Sequence, residues 1–369
     1  MRSLSVWVAL SILVSSLAAA AQTKLATDGW TKMGTTEGGL SDSRLRAMSV
    51  AIRSQEFKKI GSVLIARHGT LLYEDYVEGD ASTLRDTRSA TKSITDVLIG
   101  IAIDEKKLSG VDARILELLP DHAGKMQNPN PQKDKMTVED FLTMSSPLEC
   151  DDWNDASRGN EERMYLVEDW TQFILDLPIR GHMHLGERPE LPPYGRYFSY
   201  CTGGVFALSE VLQKVTGQRT DRYAQQKLFG PLGITDAQWV FSPMNIPMTG
   251  GGLRLSSRDL LKIADLYRGG GQWRGQRIVD EKWVHTSIQA HARIDDTTEY
   301  GYLWWLKSFK SGDKSNPAFF MSGNGGNKVA VFPGLDLSVV ITSTNYNTRG
   351  MHEQTEKLLT DYVLPSVEQ

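Results

Sequence analysis

The chain has 369 residues, of which 40% are hydrophobic and 23% are charged, and its formal net charge at pH 7 is −4. These values are typical of a globular protein with a large core, arranged as one large domain or as two closely packed domains. The slightly acidic balance argues against a nucleic-acid partner, because binding phosphates requires a basic surface that this sequence does not offer.

The first 21 residues have the pattern of a secretory signal peptide. Arg2 gives a basic start, residues 4–17 are apolar apart from serines, and residues 18–21 are small. An uncleaved membrane anchor is the alternative, but the apolar run is short for a bilayer span. We therefore expect an exported protein, periplasmic or secreted, whose mature domain covers residues 22–369 without stable membrane insertion.

The mature chain begins with a predicted helix and a β-hairpin. An irregular apolar face favours a helix over residues 41–59, with serine and aspartate at its start as caps. Residues 60–66 and 70–77 are rich in strand-forming side chains, and His68-Gly69 between them is typical of a hairpin turn.

From residue 89 to about residue 304, helical patterns joined by long polar connections dominate. The stretches 150–163 and 181–195 are polar or rich in Gly and Pro, so we predict irregular surface segments there. Apolar periodicity predicts five helices, over residues 89–104, 136–144, 169–177, 203–217 and 257–267.

The C-terminal part returns to β-structure. Three strands are predicted over residues 318–322, 328–332 and 337–344, separated by glycine-containing turns. A last helix is predicted over residues 351–364.

Strands at both ends of the chain therefore flank a mostly helical middle. This order predicts an α/β fold of the α+β type: an antiparallel sheet, built from both chain ends and flanked by helices. The sheet half would comprise residues 41–88 and 305–369, and the inserted helical half residues 89–304.

The most informative chemical motif is Ser89-Ala90-Thr91-Lys92, at the start of the first inserted helix. Residues three apart share a helix face, so the Ser89 hydroxyl and the Lys92 amine can touch. A serine hydroxyl needs a neighbouring base to act as a nucleophile, and a buried lysine can lose its proton near neutral pH. The helix N-terminus adds a backbone N–H that suits a developing oxyanion. The motif therefore predicts nucleophilic catalysis.

Two observations leave a simpler interpretation open. Ser-x-x-Lys fixes only two positions, and it occurs again at residues 311–314, in a polar stretch that favours a loop. Ser89 could also be only an N-cap, because serine is favoured at that position.

Cys150 and Cys201 are the only two cysteines of the chain. In an exported protein we expect them to form a disulfide, and two buried free thiols are the alternative. The bridge would hold the loop around Cys150 against the segment that contains Tyr200.

Two further features carry little functional weight. His182 and His184 are a weak zinc signal, because no third ligand lies near them in the sequence. The three glycines at residues 250–252 lack the lysine of a phosphate-binding loop, so we expect them to allow a close backbone approach in a core wall. We expect neither a metal nor an organic cofactor.

Several motifs follow Ser89-x-x-Lys92 in a fixed order. They are FSYCTGG at residues 198–204, GGGL at 250–253, YGYLWW at 300–305 and SGNGGN at 322–327. In these motifs and their order, over nearly all of the mature chain, the sequence resembles the serine β-lactamase-related hydrolases of the class C type. That family includes β-lactamases, D,D-peptidases, D-aminopeptidases, family VIII esterases and 6-aminohexanoate-dimer hydrolases. The resemblance implies a β-lactamase/transpeptidase-like fold.

The resemblance also implies roles for particular residues. Ser89 would be the nucleophile, Lys92 its base, and Tyr200 a proton relay, provided that its neighbours lower its pKa. Asn324-Gly325-Gly326 falls at the third motif of the family, which forms one wall of the site. The N–H of Asn327 would then complete an oxyanion hole with that of Ser89. The alternatives are a packed aromatic at Tyr200 and a plain glycine-rich turn.

Two departures from the family pattern bear on the substrate. Thr202 stands where Asn is usual, and Asn324 stands where Lys or His is usual. Without that cation, recognition of a substrate carboxylate is weakened. We therefore predict a serine hydrolase that cleaves a small or peptide-like ester or amide. The alternatives are a β-lactamase or D,D-peptidase, and a non-catalytic binding protein on the same scaffold.

Overall fold

A computed structural model describes residues 28–181 and 193–368. The predicted signal peptide and the pair His182 and His184 lie outside the described residues. In the part of the chain that is described, no helix combines the length and the apolar character needed to cross a membrane.

The described residues contain thirteen strands. They are β1 (Ile60–Arg67), β2 (Thr70–Tyr76), β3 (Leu84–Asp86), β4 (Gln238–Trp239), β5 (Leu253–Ser256), β6 (Gln272–Trp273), β7 (Gln276–Arg277), β8 (Ala292–Arg293), β9 (Thr298–Tyr300), β10 (Trp305–Ser311), β11 (Lys314–Gly323), β12 (Asn327–Phe332) and β13 (Leu337–Ser343).

The α-helices of the same residues are α1 (Asp42–Arg53), α2 (Thr91–Asp104), α3 (Ile115–Leu118), α4 (Pro120–Ala123), α5 (Val138–Leu142), α6 (Glu161–Met164), α7 (Trp170–Asp176), α8 (Thr202–Thr216), α9 (Thr220–Ala224), α10 (Ser257–Arg268), α11 (Glu281–Ser287), α12 (Met351–Leu358) and α13 (Leu364–Ser366). A short 3₁₀ turn, Arg88–Ala90, precedes α2. A wider helical turn, Leu359–Val363, connects α12 to α13, so the predicted C-terminal helix is confirmed.

Eight strands form one antiparallel sheet in the order β2-β1-β13-β12-β11-β10-β9-β8. The N-terminal strand β1 pairs with the last strand β13, with Leu64 opposite Val340. The predicted fold class is thus confirmed: both chain ends build the sheet, and a large, mostly helical region is inserted between them.

Side chains of the central strands alternate between two apolar cores. Leu64 and Ala66 face the inserted region, whereas Val63 and Ile65 face the terminal helices. Because both faces of the sheet are covered, the central strands are apolar at nearly every position, and every residue of β12 is buried. This double burial explains why a run of apolar residues, rather than an alternating pattern, marks these strands.

The sheet extends further than the sequence indicated. β8, β9 and β10 continue it beyond the predicted strands, and β8 and β9 come from the stretch predicted to be helical. Strands of two or three residues are too short to show a period, and Phe309 is the only fully buried residue of β10. In the second Ser-x-x-Lys copy, Ser311 ends β10 and Lys314 begins β11, so the predicted loop is confirmed only for the two-residue turn Gly312-Asp313 between them.

A capping box at the start of α5 is a local feature whose stability contribution can be measured. The Thr137 hydroxyl accepts a hydrogen bond from the Asp140 N–H, and an Asp140 carboxylate oxygen accepts one from the Thr137 N–H. We expect Thr137→Val to lower the free energy of unfolding by about 1 kcal/mol in urea denaturation, because the helix loses its N-cap.

Thr286→Val is the matched control, because Thr286 is exposed within α11 and its side chain is in no hydrogen bond among the described residues. It should change the free energy of unfolding by less than about 0.5 kcal/mol. Equal effects of the two substitutions would contradict the role of the capping box.

Candidate active site

Ser89 lies in the 3₁₀ turn that leads into α2. The N-cap of α2 is Ala90, and Ser89 caps no backbone N–H with its side chain, so the interpretation of Ser89 as only an N-cap is wrong. Arg88 immediately before it has a φ of 51°, in the left-handed region that non-glycine residues rarely adopt. Ser89, the next residue, lines a cleft.

The Lys92 side chain is almost completely buried, with 1% of its surface exposed. Its Nζ donates hydrogen bonds to Ser89 Oγ at 2.9 Å and to the Gly250 carbonyl oxygen at 2.5 Å. It also lies 4.9 Å from the centre of the Tyr200 ring. The three predicted residues Ser89, Lys92 and Tyr200 are therefore brought together.

Burial lowers the pKa of Lys92 from 10.5 to about 8, because an ammonium ion in an apolar helix loses its hydration. The carboxylates of Glu161 and Asp152 act in the opposite direction, since their negative charge favours the protonated amine. The balance leaves a sizeable neutral fraction of the amine at slightly alkaline pH.

The backbone at Gly250 comes so close to α8 that only a glycine fits. A Cβ there would lie 2.7 Å from Thr202 Cγ2 and 2.9 Å from the Thr202 carbonyl oxygen. The predicted close approach at residues 250–252 is confirmed, and it delivers the carbonyl oxygen that holds the Lys92 amine.

Tyr200 lies directly before α8 and is 7% exposed. Burial raises the pKa of its phenol well above 10, and the neighbouring Ser89 hydroxyl lowers it by less. The Lys92 amine lies over the face of the Tyr200 ring and does not offset the effect of burial on the pKa of the hydroxyl. The condition that its neighbours lower the pKa of Tyr200 is therefore not met, and the phenol remains protonated near neutral pH.

The predicted disulfide between Cys150 and Cys201 is present. Around it, the Asp152 N–H donates to the Tyr200 carbonyl oxygen at 2.8 Å, and the Thr202 N–H donates to the Asp152 carboxylate at 2.6 Å. The bridge and these hydrogen bonds hold Tyr200 firmly against the loop that carries Asp152.

The opposite wall of the cleft is the end of β11. Ser322, Gly323 and Asn324 line the same cleft as Ser89. A Cβ on Gly323 would lie 1.8 Å from the Thr87 carbonyl oxygen, so only a glycine allows the strand to press against the turn that carries the serine. The wall residues are therefore the start of the SGNGGN motif rather than its middle.

The remaining predicted wall residues lie outside this cleft lining. The Gly325 N–H contacts the Met351 sulfur at 3.2 Å. The Asn327 side chain is buried and bonds the Asn324 carbonyl oxygen and the Ser343 N–H, so it shapes the turn between β11 and β12.

Gly326 and Thr202 also face other parts of the protein. A Cβ on Gly326 would lie 2.3 Å from the Met351 carbonyl oxygen. Thr202 is 1% exposed, and its hydroxyl has no partner within the described ranges. Of the predicted wall, the cleft thus keeps Ser89 and Asn324.

Comparison with known proteins identifies the family. The family profile described as Beta-lactamase matches residues 61–362, which is most of the chain. The chain belongs to the Beta-lactamase family. Members of this family are hydrolases, in agreement with the resemblance drawn from the motifs.

A curated relative and two solved structures show how distant these likenesses are. A 6-aminohexanoate-dimer hydrolase of Paenarthrobacter ureafaciens is 23% identical over 275 residues, which cover 68% of this chain and 65% of that protein. EstCE1, a hydrolase with promiscuous acyltransferase activity, superposes with a TM-score of 0.64 at 16% identity, over 86% of this chain and 98% of EstCE1.

A class C β-lactamase from Rhodobacter sphaeroides superposes with a TM-score of 0.61 at 16% identity, covering 88% of this chain and 99% of that one. At these identities the two structural matches show the fold alone. They agree with the predicted β-lactamase/transpeptidase-like architecture.

Within this Beta-lactamase family fold, several cleft residues escaped the sequence reasoning. The cleft has a volume of about 460 Å³ and is also lined by Asp152, Trp153, Trp305 and His352. Trp153 stacks on Tyr200 with ring centres 5.4 Å apart and an interplanar angle of 7°. The only sequence signal for this wall was the disulfide, which placed the loop after Cys150 beside Tyr200.

The disulfide can be tested by its effect on stability. We expect the double variant Cys150→Ser, Cys201→Ser to lose about 4 kcal/mol of unfolding free energy, because the bridge closes a loop of about 50 residues. Urea denaturation with and without a strong reductant gives an internal control. Reductant should move the wild-type midpoint toward that of the variant and leave the variant unchanged; equal shifts in both proteins would contradict the prediction.

Proposed function

We propose that this protein is an exported serine hydrolase that cleaves an ester or amide bond through an acyl-enzyme on Ser89. The observation that carries the proposal is the 2.9 Å contact between Ser89 Oγ and the buried Lys92 Nζ, at a cleft shared with Tyr200. Among the described residues, no carboxylate forms an ion pair with this amine within 4.0 Å, so no direct partner holds it in its charged form.

In the first step, the neutral Lys92 amine takes the Ser89 proton while Oγ attacks the substrate carbonyl carbon. The resulting oxyanion would be held by backbone N–H groups of Ser89 and Asn324, because Asn324, and not Asn327, lines the cleft. The tetrahedral intermediate then collapses, and the bond from the carbonyl carbon to the leaving oxygen or nitrogen breaks.

The departing group needs a proton, and the protonated phenol of Tyr200 is placed to donate it, with Lys92 restoring the phenol proton. Water then attacks the acyl-enzyme with the neutral Lys92 amine as its base. The bond between the acyl carbon and Ser89 Oγ breaks, Lys92 returns the proton to Ser89, and the carboxylic acid leaves. These steps need no metal ion and no organic cofactor.

Export is the second part of the proposal. It is supported by the N-terminal leader pattern and by the disulfide, because disulfides persist mainly in oxidising compartments. The partner in this compartment would be a small or peptide-like ester or amide, with neither a nucleic acid nor a stable membrane insertion involved.

The nucleophile can be tested with the two Ser-x-x-Lys copies of the chain. Ser89→Ala should reduce turnover of a p-nitrophenyl ester at least about a thousandfold, because no acyl-enzyme can form. Ser311→Ala is the matched control, since that serine lies in β10 and its hydroxyl donates a hydrogen bond to the Thr360 carbonyl oxygen. It should keep wild-type activity, and labelling by a fluorophosphonate, read by mass spectrometry, should disappear only in the first variant. Wild-type turnover by Ser89→Ala would reject the proposal.

The pH dependence follows from the lowered pKa of Lys92. Its base form is the neutral amine, so kcat/KM for an uncharged ester should rise about tenfold per pH unit below pH 8 and level off above it. Lys92→Arg should lack this activity at every pH, because a guanidinium remains protonated. A profile that is flat from pH 6 to 9 would contradict the role of Lys92 as base.

A further inference from the structure

One side of the cleft is strongly acidic. Four carboxylates line it, and we call them the acidic wall: Asp152, Asp155, Glu161 and Glu162. Among the described residues, none of the four has a lysine, arginine or histidine partner within 4.0 Å. Asp152 accepts hydrogen bonds from the backbone N–H groups of Thr202 and Glu161, but no cationic side chain forms an ion pair with any of the four. Carboxylates that face one cavity in this way repel each other, unless a cation from outside enters between them.

The charge of the acidic wall reaches the catalytic groups. Burial raises the pKa of Asp152 to about 6, and the neighbouring negative charge of Glu161 adds to this effect. The same two carboxylates favour the protonated form of Lys92 and disfavour the ionised form of Tyr200. The field at the nucleophile is therefore negative on this side.

No permanent cation lines the cleft to balance this field, as far as the described residues show. Asn324 stands where the family usually has Lys or His. His352 also lines the cleft, but burial and the nearby Lys328 lower its pKa to about 4, so the imidazole is neutral at pH 7. A substrate carboxylate would find repulsion here rather than a partner.

Aromatic faces are an independent feature that suits a cation. Trp153 and Trp305 line the cleft beside the acidic wall, and Trp153 remains 59% exposed although one side of its ring stacks on Tyr200. An exposed indole face next to carboxylates is the combination that binds ammonium groups in proteins.

From these observations we infer that the substrate of this hydrolase carries a positively charged amine, which binds between the acidic wall and Trp153 while its carbonyl lies at Ser89. This inference rests on the proposed function and adds the charge of the substrate to it. The class comprises esters and amides with a primary, secondary or quaternary ammonium group within reach of the cleft.

The test compares esters of equal shape and different charge. Three p-nitrophenyl esters have acyl chains that end in a trimethylammonium group, a tert-butyl group of the same shape, or a carboxylate. A second series carries the same three groups on the alcohol, and its hydrolysis is followed by proton release. In at least one series, kcat/KM of the cationic ester should exceed that of the neutral ester about tenfold at low ionic strength. The preference should shrink in 1 M salt, where the Debye length falls to about 3 Å.

A pair of charge-matched variants locates the effect. Glu162→Gln removes one carboxylate of the acidic wall, and Glu168→Gln removes an exposed carboxylate of the same segment that does not line the cleft. The ratio of cationic to neutral kcat/KM should fall at least about threefold in the first variant and stay at the wild-type value in the second. An equal fall in both would mean that overall charge, and not the acidic wall, sets the preference, and would overturn the inference.

Other outcomes separate this inference from the proposed function. Equal kcat/KM for cationic and neutral esters in both series, with turnover that still requires Ser89, would overturn the substrate charge and leave the hydrolase intact. A preference for the anionic esters would have the same meaning. If the Ser89→Ala variant still turned over the esters, or if the wild-type protein hydrolysed none of them, both the proposed function and the substrate charge would be overturned.

Discussion

The burial of the Lys92 amine is the constraint on which the site depends. The first helix of the inserted region, α2, removes this ammonium group from water, and among the described residues only a hydroxyl and a carbonyl oxygen accept its hydrogen bonds. A lysine in solvent would stay charged at neutral pH, whereas here the neutral amine becomes accessible beside a serine. The close approaches at Gly250 and Gly323 matter because they bring the acceptor and the opposite wall to this one amine.

The sequence predicted most of the fold because its strong signals lie in regular elements. The central strands and the helices around Ser89 and after Tyr200 are buried over many residues, so their patterns are long and clear. The short strands β8 and β9, at the end of the sheet, have no such pattern, since they consist of two and three residues and each contributes only one side chain, Ala292 and Tyr300, to the apolar core. Their existence depends on tertiary contacts that no local window contains.

For the site, motif order was enough to bring Ser89, Lys92 and Tyr200 together, but it did not set the register of the third motif. Sequence reasoning placed the wall at residues 324–327, whereas the lining of the cleft begins two residues earlier and consists of Ser322, Gly323 and Asn324. Which glycine faces the serine turn is decided by a close contact across the sheet edge, namely that of Gly323 with Thr87. Likewise, the acidic wall combines two loop residues with the first two residues of the short helix α6. No periodicity links the four, and only their positions in space place them on one side of the cleft.

The two walls of the cleft differ in how freely they can change. The strand wall is fixed by backbone contact with the serine turn, whereas the loop wall is attached through the disulfide and a few backbone hydrogen bonds. The wall after Cys150 carries the four carboxylates of the cleft, and two of them, Asp155 and Glu162, are exposed. Selectivity can therefore vary at the loop while the geometry of the chemistry stays constant.

The pairing of β1 with β13 also sets a condition on how the protein is made. Ile60 and Ser343 are neighbours in the sheet although nearly the whole domain separates them along the chain. The central strand pair consequently has to wait until the ribosome has released almost the entire polypeptide, and the apolar N-terminal hairpin stays without its partner until then. Such distant contacts slow folding and lengthen the time during which unpaired strand edges are exposed, so a holding chaperone would benefit this chain more than one whose neighbours in space are neighbours in sequence.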